Sequence, residues 1–103
     1  MGLEQFEEEH YLYPFESASP ELIVKVWEKG KVMDGYKASD WRKDRCGKIM
    51  HFTRHGDTNS EYGWEIDHIC PISKGGTDDL HNLQPLQWQN NRKKGDRTIW
   101  NCE

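Results

Sequence analysis

WEIDHICPISKGGTDDLHNLQPLQWQNNRKKGD, residues 64–96, is the stretch that decides the fold. It opens with Trp64, Ile66 and His68 alternating with Glu65 and Asp67, the period of a strand with two unlike faces. Pro71 stops that strand, and Lys74-Gly75-Gly76-Thr77 has the composition of a turn-rich loop. A short strand carries Leu83 and Leu86 on either side of Pro85, and Gln87–Lys94 reads as a helix closed by Gly95. Asn91 and Lys94, three residues apart, share one face of that helix. A carboxylate (Asp67), an imidazole (His68), two amides (Asn82, Asn91) and an amine (Lys94) converge if the strands fold against the helix.

Upstream, Ser19-Pro20-Glu21 is a helix start: Ser as N-cap, Pro at the first helical position, Glu in the first turn. Leu22, Ile23, Val26 and Trp27 then recur at helical spacing as far as Gly30. Asp34-Gly35 signals a turn, and Ser39-Asp40-Trp41 begins a short helical turn that ends before Gly47. Lys48–Arg54 reads as a strand that forms a hairpin with Trp64–Ile69 around the loop Gly56–Ser60. Met1–Ser17 is acidic, with aromatics Phe6, Tyr11, Tyr13 and Phe15; it is either a flexible arm or a strap over the core. The organisation is an arm over 1–18 and one domain over 19–103.

Composition sets the bounds. At 103 residues the chain holds one small domain. With 34 % hydrophobic residues and a mean hydropathy of −1.04, no apolar run approaches the roughly 20 residues of a membrane span. Met1–His10 carries four Glu and no Lys or Arg, unlike a secretory leader, so the cytoplasm is the expected compartment. Cys46, Cys70 and Cys102 form no C-x-x-C pair, and an odd, scattered count fits unpaired thiols in a reducing compartment. Net charge is −4, but it is unevenly spread. Residues 1–40 hold nine acidic and four basic side chains, whereas Gln84–Trp100 sets Arg92, Lys93, Lys94 and Arg97 against Asp96 alone. That local excess is either a phosphate footprint or ordinary helix-end chemistry.

The ordered set Asp67-His68, Pro71, Gly75-Gly76, Asn82-Leu83 and Asn91-x-x-Lys94 resembles the HNH (ββα-metal) endonuclease family. The segments Trp41–Gly47 and Tyr62–Glu65 are similar to small stand-alone members. The resemblance implies an α+β fold: a ββα-metal core over about residues 62–96, with a helical N-terminal extension. It implies a metal-dependent endonuclease that hydrolyses phosphodiester bonds in DNA. His68 matches the general base, Asp67 a metal ligand, and Asn82 the middle residue that braces the loop and helps orient the base. Asn91 matches a second metal ligand, in an H-N-N variant where Asn90 leaves the register open by one. Lys94 matches a basic residue near the phosphate. Arg92, Lys93 and Arg97 fit phosphate contacts, and Arg42, Lys43 and Arg45 extend that surface. Several relatives bind a structural zinc through two C-x-x-C pairs; those are absent here, so no structural zinc is expected.

The chemistry suits those roles. An imidazole accepts a proton near neutral pH, and a divalent ion acts as a Lewis acid on phosphate. Oxygen ligands from Asp67 and Asn91 select a hard cation, Mg²⁺ first and Mn²⁺ second. Strand neighbours face opposite ways, so Asp67 and His68 serve one centre only if the strand ends, twists or bulges between them, and Pro71 with the following glycines makes such an ending reasonable. His51, His55 and His81 are not expected to be ligands, and Trp41, Trp64 and Trp88 either stack on bases or pack in the core. A competing reading is a nucleic-acid-binding module that does not cut; another is an interaction protein whose acidic arm docks a partner. One site per chain requires a homodimer, a partner protein or two events for a double-strand break.

Overall fold

In the computed structural model of the chain, residues 11–103 are described. The acidic run of the arm, Glu4 to Glu9, lies outside them. The elements are α1 (Pro20–Trp27), β1 (Lys31–Val32), β2 (Trp41–Lys43), β3 (Ile49–His51), β4 (Trp64–His68), β5 (Leu83–Gln87) and α2 (Trp88–Lys94). Single 3₁₀ turns stand at Phe52–Arg54, Ile72–Lys74 and Leu80–Asn82. The strands form two antiparallel sheets, β1-β2-β3 and β4-β5. This is a small α+β fold.

The start of α1 follows from its sequence. Ser19 takes extended backbone and its side chain accepts from the Leu22 N–H at 3.2 Å, with Pro20 at the first helical position. A cap of this kind is worth about 1 kcal/mol. The buried face of α1, Val26 and Trp27, joins Met50, Trp64, Ile66 and Leu83 in the core. Trp27 and Trp64 lie with ring centroids 5.2 Å apart. Trp64 and Ile66 face this core, whereas Glu65 and Asp67 on the opposite side of β4 face α2. Opposite pairs Glu65–Leu86 and Asp67–Gln84 share that second face.

Two local expectations fail. Lys48–Arg54 does not pair with Trp64–Ile69: β3 pairs with β2, and β4 with β5. After His51 the chain coils into a 3₁₀ turn, with the His51 side chain accepting from the Thr53 N–H, so the strand is too short to reach β4 as a ladder. Trp41 opens a strand rather than a helical turn. The reason lies in Asp44–Gly47: Gly47 N–H donates to Asp44 C=O, Gly47 has φ +90°, and the Asp44 carboxylate accepts from Cys46 N–H and Lys48 N–H at 2.9 Å each. A left-handed glycine ends helices and closes hairpins alike, and here it closes β2-β3.

The cysteines also depart from expectation. Cys46 and Cys102, 56 positions apart, form a disulfide, and Cys70 is free. The bond ties the β2-β3 turn to the segment after Trp100. Arg45 reinforces it by donating to Trp100 C=O at 2.5 Å and lying over the Trp100 ring. Sequence spacing carries no sign of a pairing that tertiary structure creates, and the cysteine argument for a reducing compartment falls with it. Among the described residues, no helix is long and apolar enough to cross a membrane.

Residues Tyr11–Ala18 lie against the core rather than away from it. Tyr13 and Phe15 pack on the apolar cluster. The Tyr13 hydroxyl accepts from the Ile66 N–H at 2.5 Å and meets His55 Nε2 at 2.9 Å. Burial pushes the Tyr13 phenol well above its ordinary value, so it stays a neutral phenol.

Candidate catalytic and metal-binding site

The far end of β4, the loop after it and the last turn of α2 enclose a cavity of about 350 Å³. Asp67, His68, Asn91 and Arg92 line it, and Tyr11 and Pro14 of the strap form one wall. Asp67 and His68 are both still paired in β4, opposite Gln84 and Leu83, so the strand does not end between them; both nevertheless line the cavity at the strand's last two positions, beyond which a single bond runs from Ile69 N–H to Asn82 C=O.

Each side chain is held. Asp67, 6 % exposed, accepts from Gln84 Nε2 at 3.0 Å and from Lys94 Nζ at 3.1 and 3.3 Å. Burial pushes the Asp67 carboxyl above its ordinary range, while Gln84 and Lys94 oppose the rise. Asn91 is buried, and its Nδ2 donates to Glu65 Oε1 at 2.7 Å. One N–H is thereby committed, and the carboxamide oxygen is the atom of the group that could ligate a cation. The His68 ring lies against Phe15, centroids 5.0 Å apart, and its Nε2 meets Asp78 Oδ1 at 2.7 Å. The neighbouring Asn90 points elsewhere: its Nδ2 donates to Asp44 Oδ2 at 3.0 Å, away from the cavity.

Asn82 is buried beneath the loop, and its side-chain hydrogen bonds go to the loop backbone and not to the His68 ring. Its Oδ1 accepts from Cys70 N–H at 2.9 Å, and its Nδ2 donates to Cys70 C=O at 3.0 Å and Thr77 C=O at 2.7 Å. The two glycines of the motif allow that closure. Gly75 has φ +92°, and a Cβ on Gly76 would stand 1.8 Å from the Cys70 carbonyl oxygen. Only a residue without a side chain passes there.

Lys94, expected near phosphate, is 1 % exposed, and its ammonium is spent on Asp67 and on His68 C=O at 2.9 Å. A helix residue one turn from the open end still points inward when two acceptors lie beneath it. Arg92 is half committed as well. It pairs with Glu65 at 2.9 Å and lies 4.0 Å from the Tyr11 ring centroid, in cation–π contact. Lys93 and Arg97 are exposed. Arg42 is drawn off the surface, donating to Ala38, Glu28 and Gly30 carbonyls. Trp64 is wholly buried, and Trp88 donates to Ser60 C=O.

Three residues of the site were not singled out by sequence reasoning. Glu65, 1 % exposed, anchors both Asn91 and Arg92. Its place two residues before Asp67, on the same strand face, is a signal that could have found it. Gln84 stands opposite Asp67 in the β4-β5 register, which is legible once that pairing is known. Asp78 carries no local signal, because only the closure of the loop brings it to His68.

Among the described residues no group of three or more His, Cys, Asp or Glu side chains is disposed to hold a metal. The donor set at the cavity is instead one carboxylate and one carboxamide. Such a pair suits a hard cation that keeps most of its water. A family model described as HNH endonuclease matches residues 44–97, just over half of the chain. No curated protein and no solved structure gives a significant match.

Proposed function

The chain belongs to the HNH endonuclease family, and from that premise we propose that it is a divalent-metal-dependent endonuclease that hydrolyses phosphodiester bonds in DNA. The observation that carries this reading is the cavity shared by Asp67, His68 and Asn91 at the junction of β4 and α2. On it, β4, β5 and α2 form the ββα-metal unit, α1 is the N-terminal helical extension, and residues 19–103 are one nuclease domain.

His68 is the general base. Its neutral ring takes a proton from a water as the water oxygen bonds to phosphorus and the bond to one bridging oxygen breaks; that oxygen is protonated from solvent. Asp67 and Asn91 are the residues that would hold the cation, Mg²⁺ in the first place and Mn²⁺ in the second. When bound there, the cation supplies Lewis-acid stabilisation of charge on the phosphate and leaving oxygen. Lys94 balances Asp67 and fixes the His68 backbone, so it positions the site rather than binding DNA. Lys93 and Arg97, with the open side of Arg92, are the phosphate contacts. Asn82 acts through the loop it braces and is a positioning residue.

The test uses supercoiled plasmid with the full chain in Mg²⁺, Mn²⁺ or EDTA, beside His68→Ala. Metal-dependent nicking or linearisation that falls by about 10²-fold or more in the variant is the expected result. DNA retention on a gel with no cutting in either metal refutes the nuclease and leaves a binding module.

A further inference from the structure

The His68 ring is gripped by a side chain from outside the ordered motif. We propose that Asp78 is the positioning residue for His68: its carboxylate keeps the imidazole proton on Nε2, so that Nδ1 is the nitrogen that accepts the proton of the attacking water. The role of Nδ1 rests on the nuclease reading above; the location of the proton does not.

Three observations carry the inference. The Asp78 carboxylate oxygen is 2.7 Å from His68 Nε2. An ionised carboxylate only accepts, so the nitrogen it touches in a neutral ring must be the protonated one. The second nitrogen then holds the lone pair, and a fixed tautomer is what a base needs in order to be ready at the right atom. The side of the ring is also fixed, by Phe15.

Asp78 itself is 78 % exposed at its side chain, and a free loop carboxylate would be a weak guide. This loop is not free. Asn82 Nδ2 holds Thr77 C=O at 2.7 Å, and Asn82 N–H holds Asp79 C=O at 2.8 Å. One residue therefore clamps the backbone on both sides of Asp78. Thr77 Oγ1 adds a bond to the Asp79 carboxylate at 3.2 Å. The brace at Asn82 thus acquires a purpose at the base, passed on through Asp78: Asn82 places the carboxylate, and the carboxylate places the proton.

The experiment reads the tautomer directly. In ¹⁵N-labelled full-length protein, long-range ¹H–¹⁵N spectra of His68 are recorded at a pH where the ring is neutral, for wild type, Asp78→Ala and Asp78→Asn. Plasmid cleavage in Mg²⁺ is measured on the same samples. Wild-type His68 is expected to be protonated at Nε2. Asp78→Ala should give a mixture of tautomers and cleavage slower by about 10-fold, while Asp78→Asn, which keeps an acceptor oxygen without the charge, should fall between. A merely structural role would change folding without moving the tautomer, and exposed Asp78 is a site where folding should survive. A wild-type ring protonated at Nδ1, or a tautomer that ignores Asp78→Ala, overturns the proposal. A shifted tautomer with cleavage unchanged overturns the positioning role. Should the wild type cut no DNA while the tautomer still follows Asp78, the nuclease reading fails and the base role with it, whereas the placement of the proton by Asp78 stands.

Discussion

Lys94→Met places the sharpest demand on the site as described. Methionine is of similar length and fits the buried stem, but it removes the cation that, among the described residues, pairs with Asp67. The carboxylate is then left 6 % exposed with Gln84 as its remaining side-chain donor among the described residues. Removing one partner of a buried ion pair costs about 3–5 kcal/mol. Protonation limits that cost. Holding the carboxyl neutral at pH 7, about three pH units above its ordinary 3.8, takes about 4 kcal/mol, so the loss at neutral pH should be about 3–4 kcal/mol. For a domain whose total stability is of the order of 5–15 kcal/mol, that is a large share. The sign with pH follows from the same residues. Burial already raises Asp67 and Lys94 opposes the rise, so without Lys94 the folded carboxyl stands further above 3.8. Between those values the folded chain keeps a proton that the unfolded chain has released. The deficit is therefore full at neutral pH and shrinks as pH falls toward 4. Urea unfolding followed by tryptophan fluorescence measures it, with Asp67→Asn in the Lys94→Met background as the second arm. That double variant should recover about 2 kcal/mol or more, because no buried charge is left unpaired. A loss under about 1 kcal/mol at pH 7, or one that is the same at pH 4.5 and 7, would refute the claim that Lys94 serves Asp67 rather than phosphate.

Two further outcomes are expected. Burial lowers His55 below its ordinary 6.5, with Glu16 and Glu65 opposing, and its Nε2 faces the Tyr13 hydroxyl. His55 thus contributes stability above pH 6.5 that is lost as pH falls through its folded value; the melting temperature should drop between pH 7 and 5, and the drop should be smaller in His55→Gln. Cys46–Cys102 closes a loop spanning 56 positions, so Cys102→Ser should destabilise by about 4 kcal/mol on the chain-entropy estimate, with a matching loss on reduction of the wild type. Equal unfolding midpoints with and without reductant would show that the bond does not hold the fold.

How far the sequence could be read depends on the range over which each feature is determined. The start of α1 is local: Ser19, Pro20 and the spacing of Leu22, Ile23, Val26 and Trp27 settle it, and the helix runs over Pro20–Trp27. So is the end of α2, where Gln87 caps the first turn and Gly95 closes the last. The strand pairing is not local. Lys48–Arg54 and Trp64–Ile69 look like a hairpin because each is apolar and a turn lies between them, but β3 finds a nearer partner across Asp44–Gly47. The choice was made by one buried carboxylate. Asp44 satisfies Cys46, Lys48, Gln87 and Asn90 donors together, and two of those four lie more than 40 residues away.

The site divides along the same line, and the division explains Lys94. Motif spacing places Asp67, His68 and Asn91 at one cavity because the strand end and the helix face are short-range consequences of sequence. It cannot assign charge partners, since these depend on which side chain fills the space between β4 and α2. A lysine beside a glycine at a helix end looks solvated in the sequence; with Asp67 and the His68 carbonyl beneath it, burial wins, because leaving that carboxylate alone would cost more than desolvating the ammonium together with it. Glu65 obeys the same rule with Asn91 and Arg92. The interface between β4 and α2 thus carries two ion pairs and an amide–carboxylate bond beside buried Leu86, and this bears on chemistry. An apolar seam would hold the helix but leave Asp67 and Asn91 free to rotate. The Lys94 ion pair on Asp67 and the Glu65 hydrogen bond on Asn91 fix their heads as well as their stems, so the atoms that would face a cation are set before one arrives.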